Sequence, residues 1–237
     1  MPVYLALQLC PDATIVSGDV ESYSQHSHLV TEIIADSAPL FEKASIDEFY
    51  IDASGMDRYF GAFNWAVELR HKIMRESRLP ISLGMSVNKL VSKVATGEFK
   101  PNAEKMIPAG TEKEFLAPLS VDKIPMIGKQ TSSFLYDMGP RTVATLREMP
   151  VKFLVSAFGK NGLSLWNKAH GLDESPVVPY SEQKSISTES TFDEDTIDVK
   201  RLKSILIAMV EKVTFQLREQ KKLASCITVK IRYSNFD

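Results

Sequence analysis

The sequence is poor in the features that mark secreted, metal-stabilised or membrane proteins. Two cysteines, Cys10 and Cys226, lie far apart in 237 residues, which excludes a disulfide framework and a zinc-binding cysteine cluster. No apolar run reaches the roughly 18 residues that a membrane-spanning helix needs. The first residues, MPVYLALQLCPDAT, carry no basic leader and no cleavage-like site, so they are interpreted as structural. We therefore predict a soluble, cytoplasmic protein with no membrane partner.

The histidine content and the total charge say little about metal binding or about partners. The four histidines have no metal-ligand spacing: His26, His28, His71 and His170. The formal net charge is only -2, but its distribution is uneven. Residues 1–60 contain ten acidic and two basic residues, whereas the remainder is mildly basic. This pattern permits a polyanionic partner without requiring one.

Apolar periodicity predicts an α+β layer in the first hundred residues. The expected elements are a helix at 3–9, a strand at 13–19, a helix at 22–38, a hairpin at 40–44 and 49–52, a helix at 65–77, a strand at 81–87 and a helix at 88–99. Leu29, Ile33 and Ile34 are expected on one helix face, and Asn88 as an N-cap. This order predicts helices on one face of a mostly antiparallel sheet, a split βαβ arrangement without its opening strand.

The rest of the chain changes character twice. Residues 108–172 are predicted to be helical with tight Gly/Pro turns, and the polar residues 173–183 to be an interdomain linker. A strand (184–192), a long amphipathic helix (198–220) and a second strand (225–234) are expected to follow. Two strands and one helix rarely make a complete domain. The expected organisation is therefore multidomain.

Adjacent acids, Asp47 and Glu48, lie at the predicted hairpin turn in SIDEFYID. Two neighbouring carboxylates repel each other unless a cation lies between them, and Mg²⁺ or Mn²⁺ is the hard cation that oxygen ligands prefer. Asp52 is either a third ligand or an ordinary acid at a strand end. A solvated turn is the alternative for the whole group, because acids are common in turns.

Two further segments fit phosphate binding. Lys100, in EFKPN, follows a helix end and could hold a phosphate as a point charge, or be an ordinary solvated lysine. The segment IPMIGKQTSSFL exposes backbone N–H groups where a helix begins, which suits a phosphate, with Lys129 and Thr131 adding a charge and a hydroxyl. A simple corner between two helices is the alternative.

Taken together, these segments resemble the Y family of translesion DNA polymerases, in its bacterial, DinB-like polymerase IV branch. The segments that carry the resemblance are MPVYLALQLCPDATIV, SIDEFYID, SVNKLVSKVATGEFKPN, IPMIGKQTSSFLYDMGPRTVATL and KSISTESTF, and it extends over essentially the whole chain. It implies a remnant of the fingers (1–18), a partial ferredoxin-like palm (19–107), an all-α thumb with a helix-hairpin-helix (108–172), a linker (173–183) and a partial α/β little finger (184–237).

The resemblance also implies roles for individual residues. Asp47 and Glu48 match catalytic metal ligands, and Lys100 matches a lysine that contacts the incoming triphosphate. Five residues of the thumb turn match positions that hold DNA phosphates: Met126, Gly128, Lys129, Gln130 and Thr131. Ser185 and Ser187 match DNA-backbone contacts of the little finger. The implied cofactor is Mg²⁺, as two ions, or Mn²⁺, and the implied partners are primer-template DNA and deoxynucleoside triphosphates.

The chain departs from the family pattern in ways that limit these expectations. The family's first metal ligand, an aspartate on the opening palm strand, lies upstream of residue 1, so this piece is expected to be inactive alone. A sliding clamp is expected to bind the full-length protein through a C-terminal motif beyond this chain. Met126, Ser187 and Ala103 stand where the family usually has glycine. Two other classes stay open, a helix-hairpin-helix DNA-binding module without catalysis and, last, a metal-dependent cyclase.

Overall fold

The computed structural model describes residues 1–56, 61–179, 184–192 and 194–234. They form two compact units, Met1–Tyr180 and Ser181–Asp237. Residues 180–183 of the predicted linker lie outside the described residues. In the part of the chain that is described, no helix is both long and apolar enough to cross a membrane.

The first unit begins with two helices, α1 (Val3–Leu9) and α2 (Val20–Ser37). The predicted strand between them is not formed: residues 13–19 pair with no neighbour, and Val16 is 82% exposed. A strand needs a hydrogen-bonded partner, which alternation in the sequence does not supply. Helix α2 starts where the Asp19 carboxylate accepts the Ser22 N–H at 3.0 Å. Its buried face contains Val30 next to the predicted pair of isoleucines, whereas Leu29 is exposed.

The predicted hairpin is confirmed. Strands β1 (Phe41–Lys43) and β2 (Phe49–Ile51) run antiparallel, with Phe41 opposite Ile51. The hairpin packs with α2 and with α3 (Ala62–Ser77), which begins three residues earlier than predicted. Together they enclose a first core of six buried residues: Val30, Ile33, Ile34, Ala38, Leu69 and Ile73.

A βαβ unit follows, made of β3 (Leu83–Met85), α4 (Lys89–Glu98) and β4 (Glu104–Met106). The predicted N-cap of α4 is confirmed, since Asn88 Oδ1 accepts the Val91 N–H at 2.9 Å. Strand β4 was not predicted, and it pairs parallel to β3. The prediction of one mostly antiparallel sheet is therefore wrong: the described residues form two separate two-stranded sheets, one antiparallel and one parallel.

Residues 108–172 are helical, as predicted. The elements are α5 (Glu112–Leu116), a 3-10 helix (Val121–Lys123), α6 (Lys129–Asp137), α7 (Val143–Arg147), α8 (Val151–Phe158) and α9 (Lys160–Ala169). One buried cluster joins these helices to one face of α4: Leu90, Val91, Val94, Ala95, Ile107, Leu116, Val121, Ile124, Leu135, Val143, Leu146, Leu154, Leu165 and Ala169. The core therefore crosses the position, after residue 107, where the palm was expected to end.

The second unit contains α10 (Val199–Glu219), whose first N–H groups are capped by the Asp198 carboxylate. The two strands predicted on either side of this helix, at 184–192 and 225–234, are not formed in the described residues. None of the described residues of this unit is buried. Alternating apolar residues become a strand only when they pair and cover a core, so the expected α/β little finger is not formed in the described residues of this unit.

Candidate active site

Ser45 organises the acidic turn between β1 and β2. Its Oγ donates a hydrogen bond to Asp47 Oδ1 at 2.6 Å and accepts the backbone N–H groups of Asp47 and Glu48 at 3.3 and 3.1 Å. The Ala44 N–H donates to the Glu48 carbonyl at 3.0 Å and closes the hairpin. A serine that bonds the residues following it is a common turn device. The two acids are thus adjacent and fixed at their backbone, with Asp47 exposed and Glu48 half-buried.

Helix α4 brings a cation to this turn. Lys93 Nζ lies 2.5 Å from Glu48 Oε2, and the side chains are 37% and 42% exposed. The hydrogen bond to Glu48 raises the pKa of Lys93 against the opposing effect of partial burial, and the Asp47 charge acts in the same direction as Glu48. Lys93 therefore supplies positive charge to both acids, a role that the sequence analysis missed.

A second ion pair lies one helical turn earlier. Lys89 Nζ is 2.6 Å from Glu42 Oε2, and both side chains are about four-fifths buried, at 18% and 20% exposed. The same carboxylate oxygen accepts the Val178 N–H at 2.8 Å. Lys89 and Lys93 are four residues apart and so share one helix face, which lies against the hairpin. That spacing was the signal in the sequence that could have identified both lysines.

Asp52 was predicted to be either a third metal ligand or an ordinary acid at a strand end, and its contacts favour the second. Its Oδ1 accepts the Ser54 N–H at 2.9 Å, and hydrogen bonds from Ser54 lower its pKa. Among the described residues, no three histidine, cysteine, aspartate or glutamate side chains meet in a group that could hold a metal ion. Asp47 and Glu48 still provide hard oxygen donors of the kind that Mg²⁺ prefers, so they fit as part of a metal site.

Lys100 lies just beyond the other end of α4, and its side chain is exposed. Lys93 and Lys100 are separated by seven residues, or about 10 Å of helix rise. None of the hydrogen bonds and ion pairs found among the described residues joins Lys100 to Asp47 or Glu48. The turn after Lys100 is held by Arg70 of α3, whose guanidinium donates to Asn102 Oδ1 at 2.6 Å. Arg70 was also missed, because a charged residue in an amphipathic helix is normally assigned to its solvent face.

The predicted phosphate-binding turn is an exposed turn that leads into α6. Met126 has a positive φ of 75° and is 90% exposed. Lys168 Nζ donates to the Pro125 carbonyl at 3.0 Å and fastens the turn to α9. Gly128, the N-cap of α6, offers no side-chain acceptor, so the helix amides of Lys129 and the residues after it face outward without a cap.

This turn is connected to the end of α4. Lys123 Nζ, in the 3-10 helix, lies 2.8 Å from Glu98 Oε1, and the rings of Phe99 and Phe115 stack with their centroids 6.4 Å apart. Gln130 and Thr131 lie in the first turn of α6, exposed and half-buried respectively. The structure thus brings the acids together, places Lys100 just beyond the far end of the helix that contacts them, and joins that helix to the turn.

Ser185 and Ser187 belong to the second unit. Both are exposed and lie in a segment that forms no strand. Their predicted place on a first strand is therefore wrong, because the described residues 184–192 form no strand.

Sequence comparison places both ends of the chain in one family. Residues 1–97 match the impB/mucB/samB family and residues 183–237 match the C-terminal domain of the same family. The chain is 36% identical over 237 residues to DNA polymerase IV of Dehalococcoides mccartyi (strain CBDB1) and covers 61% of that protein. It is 35% identical to DNA polymerase IV of Xanthomonas euvesicatoria pv. vesicatoria (strain 85-10) and covers 66% of it. In both alignments all of this chain is covered, so it spans under two thirds of the length of these relatives.

Solved structures agree with the sequence comparison. A Y-family DNA polymerase chimera, Dbh-Dpo4(243-245)-Dbh, superposes with a TM-score of 0.81 at 26% identity, covering 91% of this chain and 63% of that one. An insertion ternary complex of Dbh DNA polymerase superposes with a TM-score of 0.66 at 25% identity, covering 91% of this chain and 63% of the other. The chain therefore belongs to the impB/mucB/samB family, as a DinB-like member of the Y-family DNA polymerases.

Proposed function

We propose that the protein containing this chain synthesises DNA on a template by nucleotidyl transfer and is an error-prone polymerase that copies past damaged bases. The observation that carries the proposal is the acidic turn, where Ser45 fixes Asp47 and Glu48 side by side and Lys93 contacts Glu48. A solvated turn would not require a lysine directed at it from another element. Family membership supports the same reaction.

Asp47 and Glu48 are proposed to hold Mg²⁺, or Mn²⁺, through their carboxylate oxygens. Two such ions, when bound, supply Lewis-acid stabilisation of the attacking and leaving oxygens in this type of reaction. Ser45 orients the Asp47 carboxylate through its 2.6 Å hydrogen bond, and Lys93 holds Glu48 in place. Two carboxylates poorly neutralise two divalent cations, so we propose that a third acid comes from outside residues 1–237 and that this chain alone is inactive.

Other residues are proposed to bind the substrates. Lys100 is exposed next to the end of α4 and would contact the triphosphate as a point charge. The turn at Met126 to Thr131 presents uncapped amides to a DNA phosphate, and Ser185 and Ser187 are proposed to make further backbone contacts. These contacts read no bases, so DNA binding should be independent of sequence and should weaken steeply with salt. We also propose, from the family resemblance, that the protein is cytoplasmic and that the full-length protein binds a sliding clamp.

Primer extension by the full-length protein tests the reaction. Asp47→Ala should reduce extension in Mg²⁺ by at least about a hundredfold, because a metal ligand that acts in the transition state is removed. Asp36→Ala is the matched control, since Asp36 is an exposed acid on α2. Extension that survives in Asp47→Ala would refute the assignment of the turn.

Primer extension combined with a DNA-binding measurement distinguishes a polymerase from a non-catalytic helix-hairpin-helix binding module. A fluorescence-anisotropy titration of labelled primer-template should be run on each variant. If the wild-type protein binds DNA but extends no primer under any metal condition, the binding-module interpretation replaces the polymerase. If this 237-residue chain extends primers as well as the full-length protein does, the requirement for a third acid is wrong.

A further inference from the structure

Arg70 is a buried arginine in the middle of α3. It is only 7% exposed, although arginine is almost never buried without partners. Its neighbours on the same helix face, Leu69 and Ile73, belong to the first core. Burial of a guanidinium is costly unless its N–H groups are hydrogen-bonded, so its partners indicate what the residue does.

All of its partners lie at one end of the β3–β4 pair. Arg70 Nε donates to the Ile81 carbonyl at 2.7 Å, just before β3. Nη1 donates to Glu104 Oε2 at 3.2 Å, at the first residue of β4. Nη2 donates to both the backbone carbonyl and Oδ1 of Asn102, at 3.0 and 2.6 Å. One side chain therefore connects helix α3 to two other segments, Ile81 just before β3 and residues 102–104.

The segment held most strongly is the turn between α4 and β4. Asn102 has a positive φ of 47°, a conformation that a residue with a side chain keeps when its surroundings fix it. Arg70 supplies that fixation through both oxygen acceptors of Asn102. Lys100 is two residues earlier in the same turn, so the direction in which Lys100 leaves α4 depends on where Asn102 is held.

We propose that Arg70 is a positioning residue for nucleotide binding, because it fixes the turn of Lys100 and Asn102 and thereby aims Lys100 at the triphosphate. This inference rests on the proposed function. Replacing Arg70 alone would leave the carbonyl oxygens of Ile81 and Asn102 without their donor and would cost stability, so a purely structural role is distinguished from a positioning role by which kinetic constant changes. Four hydrogen bonds that converge from one guanidinium are specific to an arginine.

Single-nucleotide incorporation by the full-length protein tests the inference, with kcat, the KM for the nucleotide and the Kd for primer-template measured separately. Arg70→Met should raise the nucleotide KM by about tenfold while kcat and the DNA Kd change by less than about threefold. Arg70→Lys should be intermediate, since lysine reproduces the charge without the planar donors. Arg75→Met, on the exposed side of the same helix, should change none of the three constants.

A double-mutant cycle shows whether Arg70 acts through Lys100. In a Lys100→Ala background, Arg70→Met should have almost no further effect on the nucleotide KM. An equal effect in both backgrounds, or an unchanged KM in Arg70→Met, would overturn the proposal. An equal loss of kcat and DNA affinity would do the same, because it would indicate general damage to the fold.

Asn102→Gly provides a variant that does not depend on replacing a buried charge. Glycine tolerates the positive φ but lacks the Oδ1 that Arg70 binds. It should raise the nucleotide KM in the same direction as Arg70→Met, and an unchanged KM would refute the proposal even if Arg70→Met fails to fold. A wild-type protein that incorporates no nucleotide would overturn the polymerase assignment itself, whereas an active wild type with an insensitive KM would overturn only the role of Arg70.

Discussion

Glu42 is the residue on which three separate segments of the first unit meet. Partial burial raises its pKa, but the hydrogen bonds from Lys89 and the Val178 N–H, together with the Lys89 charge, lower it below its ordinary value of 4.5. A carboxyl with a lowered pKa stabilises the folded state above its unfolded pKa. That contribution is lost as the pH falls below about 4.5, through the folded-state pKa.

Glu42→Gln should therefore lower the free energy of unfolding by about 1 kcal/mol at neutral pH, and the difference from wild type should shrink as the pH falls from 5 to 3. Urea unfolding across that range measures it. Glu32→Gln is the control, because Glu32 is 65% exposed and its oxygen lies 3.8 Å from a histidine nitrogen. A constant difference between Glu42→Gln and wild type at all pH values would contradict the ionic contribution.

At this scale the sequence predicted the acids but not the cations that hold them. Asp47 and Glu48 were identifiable because two adjacent carboxylates at a turn are a local pattern. Lys93 and Arg70 could not be identified in this way, because their partners are distant in sequence. Glu48 is 45 residues from Lys93, and Glu104 is 34 residues from Arg70. Such pairs are determined by how α3 and α4 pack on the strands, which a single sequence does not state.

Among the elements of the first unit, β3 and α4 approach each other closely at Gly84. A Cβ placed on Gly84 of β3 would lie 2.4 Å from the Ser92 carbonyl oxygen and 2.6 Å from the Thr96 nitrogen, both in the α4 backbone. Atoms at these distances overlap, and neither backbone can move without displacing the buried face of α4. Glycine is therefore required at position 84 for the helix to lie on the strand.

Gly84→Ala should destabilise the protein by about 2 kcal/mol or more, because the overlap forces the helix away from the strand. Gly97→Ala is the matched control: it lies in α4 itself, and a Cβ there meets nothing within 4 Å. That change should be neutral or stabilising by up to about 1 kcal/mol, since alanine favours helix. Chemical denaturation of both variants measures their free energies of unfolding. Equal stability of the two variants would contradict the requirement for glycine at position 84.

Elements were predictable where their pattern is local and not where it needs a partner. Helices α2, α3, α4 and α10 follow from periodicity and caps. Strand β4 has only three residues, Glu-Lys-Met, and all three are exposed, so its sequence shows no alternation of apolar and polar residues. Only its pairing with β3 identifies it as a strand. The opposite error occurs at 184–192 and 225–234, where alternation is clear but no strand forms.

For the whole molecule, the two units differ in burial. The first contains both cores, whereas no described residue of the second is buried. An amphipathic helix without a packed face depends on its intrinsic propensity, which is marginal in water. Amides of α10 should therefore exchange with solvent much faster than those of α9, although α10 is twice as long, at 21 residues against 10.

Hydrogen exchange of this 237-residue chain, followed by mass spectrometry, measures the difference. Peptides from α9 are the internal reference because Leu165 and Ala169 lie in the second core. Protection of α10 equal to that of α9 would mean that the second unit is stabilised in a way that its burial does not account for.

Helix α4 has almost no surface left for variation. Lys89 and Lys93 contact the acidic hairpin, Val91 and Ala95 are fully enclosed in the helical core, and Ser92 and Thr96 touch Gly84. The ten residues of α4 thus pack against the acidic hairpin, the helical core and strand β3, so a substitution that improves one contact disturbs another. Among related genes, this helix is expected to diverge most slowly, and drift in sequence should accumulate in the elements around it.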